Sequence, residues 1–446
     1  MSFRVSRDGT LSEAKAATTP SGIPFMYNTG DNTTLPSLDS AVPQYIQGTN
    51  SFGDHFGRDV AVGNGKIVTG AQRYNDPSGI NTINTGIAFI HDLNGNLITS
   101  LTDGDSGDLY GTSVAIGSNK IAIGSPSDDD TAFASGAVYV YDLDGTNKVK
   151  IKASVPVSVE GYGDGALAVG AGKILVGAKS SPGSSSAEGA VYVYDLDGTN
   201  EVKLVDPNPA SQNKFGEGVA IGSGRIVITG GPSRGNGTTG GIAFYIYDLN
   251  LNLLKSVEEP ASLVGVNSGF ARNYGKICSV GSGRIVIGAP LIGNVSVSGT
   301  GRGAAFIYDL EGNELKQIQA FGGSVYPPTA DIPFSANFFG YSTAIDSGRI
   351  VIGAPHTNRR RSSDGSNIST AGAVYVYDLD GNPLSRLSST SVPVSGDYFG
   401  ESVAIRSGKI VVGKYAGSSS YSSEIYLYDT PNAITAYDVK SWEYGL

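Results

Sequence analysis

The stretch that decides the fold is FGESVAIRSGKIVVG at residues 399–413, followed by YLYD at residues 426–429. It contains an aromatic-Gly pair, an apolar run, a Ser-Gly turn, a second apolar run and an aliphatic-Tyr-Asp strand. The same order occurs seven times, with aromatic-Gly pairs beginning at Phe56, Tyr110, Tyr162, Phe215, Tyr274, Phe339 and Phe399. The copies are about 50–65 residues apart, in or just above the range of propeller blades.

Each repeat predicts four short strands, A to D. Two-residue turns such as Asn64-Gly65 and Ser223-Gly224 join strands A and B, and Gly or Asn at the second position suits a tight hairpin. Strands B and C are apolar at successive positions, which is typical of a sheet covered on both faces, whereas strand D is more polar. We therefore expect an all-β fold, a seven-bladed β-propeller of four-stranded antiparallel blades over residues 51–446.

Residues 1–50 contain no copy of the repeat and are rich in Thr, Ser, Asn and Pro. We interpret them as an extended N-terminal arm that docks on a partner or on the propeller, with an expression tail as the alternative. Two closures of the ring stay open. The outer strand of the seventh blade is either the chain's own Ala433–Tyr437 or a strand from residues 42–48.

Composition argues against two classes of partner. The net charge of −10 disfavours a nucleic-acid binder, which needs a broad basic surface. No run approaches the roughly 18 apolar residues of a membrane span, and no apolar stretch follows the basic residues at the N-terminus, so we expect neither membrane insertion nor a secretory signal. The single cysteine, Cys278, lies in an apolar run and is interpreted as a small buried hydrophobic residue.

The aromatic-Gly pairs and the Gly-Ala-Pro triplets at residues 288–290 and 353–355 resemble the FG-GAP repeat family, over about residues 52–440. This family includes the propeller heads of integrin α-subunits and many bacterial and viral proteins. Many members have a carboxylate-rich, calcium-binding A–B loop. Here every A–B connection is a two-residue turn without a carboxylate, so the chain is similar to the bacterial and phage branch with short turns. Because calcium needs six to eight oxygen ligands, we expect no metal ion and no cofactor.

Other acidic segments could be interpreted as calcium sites, but structural roles explain them better. The Asp-Leu-Asp-Gly segments, such as Asp378 to Gly381, are predicted to be C–D hairpins in which Asp and Gly accept the turn backbone. Residues 103–108 are interpreted as a solvated connector between blades, and residues 128–130 as a solvated charge run. A metal site is the alternative for both segments.

In a propeller the B–C and D–A connections share one face, and here the B–C loops are long, varied and rich in Ser, Gly, Asn and Thr. Variable loops on a rigid scaffold are the usual place for recognition. Three consecutive arginines in the longest loop can grip sulfate, phosphate or carboxylate groups, although an exposed charge run is the alternative. The candidate binding residues on this face are Tyr74, Asp128, His356, Arg359, Arg360 and Arg361.

These features predict a non-enzymatic structural or adhesion protein, most simply a phage or virus-particle component at the tail or host-facing surface. The sequence shows no Ser-His-Asp grouping, phosphate loop or zinc motif. Expected partners are other virion or surface proteins through the arm, and a host-surface glycan or protein through the B–C face. The alternative is a bacterial surface or secreted lectin-like adhesin, which would be located at the cell surface or outside the cell.

Overall fold

The structure is a computed structural model. It describes residues 53–75, 83–158, 160–182, 188–208, 214–230, 242–260, 277–291, 303–319, 337–360, 367–389, 395–414 and 423–430, together with five short strands before residue 48. Seven four-stranded antiparallel sheets follow one another around a ring, as the repeat predicts. The described part of the chain contains no helix with the length and hydropathy needed to cross a bilayer.

Strand A is the innermost strand of each blade. In chain order these strands are β6 (Val60–Gly63), β10 (Ser113–Gly117), β14 (Tyr162–Gly170), β18 (Gly218–Gly222), β22 (Ile277–Gly281), β26 (Ser342–Asp346) and β32 (Phe399–Arg406). Each packs beside the strand A of the next blade, and β32 packs beside β6, so the ring is closed.

Strands B and C form the covered middle of each blade, and almost every side chain in them is buried. The B strands are β7 (Lys66–Ala71), β11 (Lys120–Ser125), β15 (Lys173–Ala178), β19 (Arg225–Thr229), β23 (Arg284–Ala289), β27 (Arg349–Ala354) and β33 (Lys409–Lys414). The C strands are β8 (Ile87–Asp92), β12 (Ala137–Asp142), β16 (Ala190–Asp195), β20 (Ile242–Tyr247), β24 (Ala304–Tyr308), β30 (Ala373–Tyr377) and β34 (Glu424–Asp429).

Strand D lies at the rim and is the most exposed, as predicted. The first six D strands are β9 (Leu97–Leu101), β13 (Val149–Ile151), β17 (Val202–Val205), β21 (Leu253–Glu258), β25 (Glu314–Gln319) and β31 (Pro383–Leu387). The remaining strands form three separate hairpins: β1 (Phe3–Val5) with β2 (Leu11–Glu13), β3 (Ala17–Thr18) with β4 (Pro24–Phe25), and β28 (Arg359–Arg360) with β29 (Asn367–Ile368).

The seventh blade takes its outer strand from the N-terminal segment. Strand β5 (Gln44–Gln47) pairs antiparallel with β34, with Ile46 opposite Ile425. Ile46 also packs against the apolar cluster between blades 7 and 1. Of the two closures that the sequence left open, the swapped strand is therefore the one formed, and closure by blade packing alone is wrong. Residues 433–437 lie outside the described residues.

The apolar core consists of seven clusters, one between each pair of neighbouring blades. In the cluster between blades 1 and 2, Val68 and Ile90 of the first blade meet Tyr110 and Ile121 of the second. In the closing cluster, Val411 and Ile425 of the last blade meet Phe56 and Ile67 of the first. The closing contact is thus built like the others, and burial of apolar area stabilises all seven.

Polar contacts join the same blades. In blades 2, 6 and 7 a serine in strand A donates to the carbonyl of the glycine in the next aromatic-Gly pair: Ser113 to Gly163 (2.7 Å), Ser342 to Gly400 (2.9 Å) and Ser402 to Gly57 (2.8 Å). On the opposite face, the A–B turns contact each other. The Gly172 N–H donates to Ser118 Oγ of the preceding turn at 3.1 Å, for example.

The tight turns have the geometry that their sequences predict. Asn64 and Gly65 have φ values of 50° and 74°, and both residues of the other six A–B turns also have positive φ, which defines type I′ hairpins. The Asp-Leu-Asp-Gly segments are C–D hairpins, as predicted. In one of them, Asp378 Oδ1 accepts the N–H groups of Asp380 (3.0 Å) and Asn382 (2.8 Å).

Deleting residues 1–50 is expected to lower the melting temperature clearly, because it removes β5 and leaves the edge of β34 unpaired. The loss is about 2–4 kcal/mol, corresponding to a few backbone hydrogen bonds and the Ile46 contact. The matched control deletes residues 1–40 and keeps β5, so it should melt close to the full chain. Equal melting temperatures of all three proteins, measured by circular dichroism, would show that β5 does not hold the ring.

Candidate functional site

The B–C and D–A connections meet on one face of the ring, as expected. The glycine that precedes strand C forms a parallel bridge with the aromatic residue of the next blade, as in Gly86 with Tyr110 and Gly372 with Phe399. In blades 1, 3, 5 and 6 the B–C connection therefore ends against the aromatic-Gly pair of the next blade. We call this the B–C face, and it is where the loops of different blades come close enough to form a shared surface.

One position on the B–C face recurs in a strained backbone conformation. The residue before the aromatic-Gly pair has a left-handed φ in His55 (61°), Leu109 (56°), Lys214 (53°), Phe338 (52°) and Tyr398 (46°). Such a backbone costs of order 1–3 kcal/mol for a residue other than glycine and persists only where the surrounding structure imposes it. Except for the buried His55, these side chains are partly exposed. In these five blades the fold thus presents a rigid residue whose identity varies.

Buried carboxylates on this face are bound by the strand-C tyrosines. Tyr139 donates to Asp128 Oδ2 at 3.0 Å and Tyr192 donates to Glu160 Oε1 at 2.7 Å. The hydroxyl groups of two further tyrosines make the same kind of bond, from Tyr245 to Asp206 and from Tyr426 to Glu424. The four carboxylates lie at different places in the repeat. No single sequence motif therefore identifies these tyrosine-carboxylate pairs.

Asp128 is not part of a solvated charge run, which corrects the interpretation of residues 128–130. Its side chain is 1% exposed and its carboxylate lies 2.5 Å from Lys150 Nζ and 3.4 Å from Lys152 Nζ. Lys150 lies in strand D of this blade and Lys152 directly follows it. Both lysines also pair with the exposed Asp130, so they neutralise both carboxylates. This is a structural ion-pair cluster, and a binding role for Asp128 stays a prediction.

The acidic segment 103–108 also differs from a solvated connector at its two ends. Asp103 accepts the hydroxyl of Tyr141 and pairs with Lys148 Nζ, both at 2.8 Å. Asp108 is buried, which raises the pKa of its carboxyl group, and its Oδ2 accepts the Asp105 N–H at 2.8 Å. The segment therefore fastens blade 1 to blade 2.

The described backbone places Tyr74 and the strand of Arg359 and Arg360 in the B–C connections of different blades, blade 1 and blade 6. Tyr74 is half-buried against the cluster between blades 7 and 1, and its carbonyl accepts the N–H of Gly86 at 3.1 Å. Arg359 and Arg360 form β28, which pairs with β29 inside the B–C connection of blade 6. Arg361 lies outside the described residues. Their roles in binding stay predictions.

His356 is placed in an aromatic cluster that the sequence did not reveal. Its ring centroid lies 4.1 Å from that of Phe338 and 5.1 Å from that of Tyr398. Burial lowers the pKa of the imidazole. Phe338 and Tyr398 are the left-handed residues of blades 6 and 7, so the available signal was an aromatic residue before the aromatic-Gly pair in two consecutive repeats.

Another polar group lies where the innermost strands of blades 6, 7 and 1 begin. Tyr341 donates to Glu401 Oε1 at 3.0 Å, and Arg58 Nη1 lies 4.0 Å from the same oxygen. Next to Arg58, Asp59 Oδ2 accepts the Val114 N–H of blade 2 at 2.7 Å. Within the described residues no group of three or more His, Cys, Asp or Glu side chains is placed to hold a metal ion.

The Asp59 contact predicts a pH dependence of stability. Burial raises the pKa of Asp59 to about 7, against the hydrogen bonds from Val114 and Val60 and the charge of Arg58, which lower it. Because the folded pKa lies above the unfolded one, the contribution of this carboxyl is fully present below about pH 4 and is lost as the pH rises through about 7.

The free energy of unfolding of Asp59→Asn, relative to that of the natural chain, should therefore increase by about 1–4 kcal/mol when the pH is raised from about 4.5 to about 7.5. Urea midpoints at both pH values measure this gain. The matched control is Asp129→Asn, at an exposed position, which should show no such difference. A gap between Asp59→Asn and the natural chain that is the same at both pH values would contradict the prediction.

Cys278 is partly buried at the edge of the cluster between blades 4 and 5. Its burial raises the pKa of the thiol to about 12. This fits the interpretation of a small packing residue, since the thiolate is the reactive form of cysteine.

The blades, their order and their closed ring define the class of the protein, an all-β seven-bladed propeller. Residues 98–141 match the model of the FG-GAP repeat family. This segment runs from strand D of blade 1 to strand C of blade 2 and includes Tyr110-Gly111. Together with seven blades built in this way, this match supports an FG-GAP repeat β-propeller. No curated protein matches it.

Proposed function

We propose that this chain is a non-enzymatic structural or adhesion protein of a phage or virus particle, at the tail or another host-facing surface, where the propeller binds a protein or a glycan. The FG-GAP β-propeller fold suggests a protein-binding or adhesion role. The proposed place in a phage or virus particle rests on the two different faces of the ring and on the N-terminal arm.

The observation that carries the proposal is the contrast between the two faces of the ring. The A–B turns are seven two-residue hairpins of one type and contact each other. The B–C connections differ in length and sequence from blade to blade, and the connection in blade 6 contains a hairpin of its own. A constant scaffold that carries variable connections is the usual arrangement of a recognition surface.

The polar side chains of the B–C face support a non-enzymatic role. Asp128 is held by Tyr139 and two lysines, and Glu160 is held by Tyr192. Asp206 and Glu424 are bound in the same way by tyrosines. The bonds to Asp128, Glu160 and Asp206 join strand C to the segments beside it, and the bond to Glu424 lies within strand C of blade 7. Each is the kind of bond that a structural carboxylate makes.

The N-terminal arm supports assembly with other proteins. The hairpins β1–β2 and β3–β4 precede the closing strand β5 and pair only with themselves among the described strands. Partners of this arm would be other virion or surface proteins.

Mass spectrometry of gradient-purified particles from the source tests the proposal. We expect the chain at a constant ratio to the major particle protein across the gradient fractions and after a high-salt wash, whereas an abundant host cytosolic protein is lost. Absence from particles would overturn the proposal. Recovery on the cell surface or in the medium instead would support the second candidate, a lectin-like adhesin of a bacterial surface, which the aromatic cluster around His356 favours.

A further inference from the structure

We propose that the junction of blades 6 and 7 on the B–C face is a saccharide-binding site, formed by the rings of Phe338, His356 and Tyr398 beside the polar side chains of Asn337 and Thr357. The inference rests on the proposed adhesion role and names its ligand class.

The three rings form a continuous aromatic surface. The ring planes of Phe338 and His356 are inclined by 45°, and those of His356 and Tyr398 by 61°. All three side chains are partly exposed, so their surface is accessible from the B–C face. A pyranose ring has an apolar face of C–H groups and a rim of hydroxyl groups, so it packs its face on an aromatic ring and needs polar partners at the edge.

The backbone presents these rings rigidly. Phe338 and Tyr398 occupy the left-handed position that the fold repeats from blade to blade. The residues at this position in the other blades are His55, Leu109, Gly161, Lys214 and Asn273. Only blades 6 and 7 therefore carry a phenyl or phenol ring there, and His356 lies between them. A side chain that is already fixed loses little entropy when a ligand binds.

Two buried polar atoms, in residues adjacent to the rings in the chain, have no hydrogen-bond partner among the described residues. Asn337 is 4% exposed and Thr357 is 2% exposed, yet neither Asn337 Oδ1 nor Thr357 Oγ1 makes a hydrogen bond within the described residues. Asn337 precedes Phe338 and Thr357 follows His356. A buried polar atom without a partner costs about 1–3 kcal/mol, so such atoms are rare. The hydroxyl groups of a saccharide would satisfy both.

In blade 2, the positions equivalent to Asn337 and Thr357 have structural roles. Asp108 replaces Asn337, and Asp128 replaces Thr357, four residues after the strand-B glycine. Asp128 is occupied there by Tyr139, Lys150 and Lys152. In blade 6 both positions are neutral, and the low pKa of His356 keeps its ring uncharged near neutral pH. Beside the three rings, blade 6 therefore has an amide and a hydroxyl group where blade 2 has two carboxylates, and uncharged polar groups of this kind suit a saccharide.

Saturation-transfer NMR on the full chain tests the site. The probes are methyl glycosides of glucose, galactose, mannose and N-acetylglucosamine, and glucuronic acid as an acidic sugar, each at about 10 mM. We expect transfer to the ring protons of at least one probe. Tyr398→Ala and Phe338→Ala should each weaken its binding about tenfold, the contribution of one aromatic contact. Tyr398→Phe should keep the binding.

The matched control is Leu109→Ala, which changes the same left-handed position in blade 2 and should bind as the natural chain does. Melting curves identify variants that fail to fold. If an alanine variant of Tyr398 or Phe338 does not fold, the comparison is made between His356→Ala, which removes the ring between the two blades, and Tyr398→Phe, which keeps all three rings. No transfer to any probe, or equal transfer in folded Tyr398→Ala and Phe338→Ala, would overturn the site. Binding by a protein that is absent from particles would keep the site and remove only its proposed location.

Discussion

Gly413→Ala is expected to destabilise the propeller by more than about 3 kcal/mol. Gly413 lies in strand β33, where a Cβ atom would overlap the carbonyl oxygen of Gly57 in the first blade and the Oγ of Ser402. The atoms in the way are backbone and a hydroxyl that itself donates to Gly57 at 2.8 Å, so neither can move without opening the junction of blades 7 and 1. The substitution thus acts on ring closure.

The matched control is Gly408→Ala, in the A–B turn of the same hairpin. Gly408 has a φ of 77° and only Thr430 Oγ1, at 3.7 Å, near its added Cβ. It should lose only the roughly 1–2 kcal/mol that a left-handed alanine costs. Urea midpoints of both variants measure the difference. A Gly413→Ala variant as stable as Gly408→Ala would mean that the two end blades are not in the close contact described here.

Lys414→Met is expected to cost about 3–5 kcal/mol, the range for removing one partner of a buried ion pair. Lys414 Nζ lies 3.3 Å from Asp397 Oδ1 and 3.3 Å from Glu424 Oε2. All three side chains are buried, and Tyr426 donates to Glu424 at 2.6 Å. The substitution removes the ammonium group that lies between these two buried carboxylates.

Lys409→Met is the control on the same strand. Lys409 Nζ pairs with Asp429 Oδ1 at 2.6 Å, but Asp429 is 69% exposed, so the loss should be at most about 1 kcal/mol. Adding Asp397→Asn to Lys414→Met should recover part of the stability, because it removes one of the two negative charges that Lys414 neutralises. Similar urea midpoints for Lys409→Met and Lys414→Met would show that the cluster is not a buried ion pair.

The features that the sequence predicted are those set by residues close together in the chain. The A–B turns at Asn64-Gly65 and its equivalents need positive φ at both residues, and their composition states it. The hairpins at Asp378 and its equivalents are likewise made by side chains that bind their own turn. Seven copies of such local signals give the blades and their order.

The features that the sequence left open depend on residues far apart. Strand β5 has four residues and no repeat pattern, so its pairing with β34 follows only from the unfilled edge of the last blade. Asp128 resembles a charge run until Lys150 and Lys152 fold over it. The rings of Phe338, His356 and Tyr398 come from two neighbouring blades, and the repeat pattern does not predict that they are in contact.

The pairing of β5 with β34 also has a consequence for synthesis on the ribosome. Gln47 leaves the ribosome about 380 residues before Glu424, its partner in the sheet. At about 5–20 residues per second, the closing strand waits about 20–75 s for the edge it will join. During that time the first and latest blades each expose an apolar side to solvent. A nascent chain of this kind is therefore prone to aggregate until the last blade is made, and a premature stop leaves the ring open.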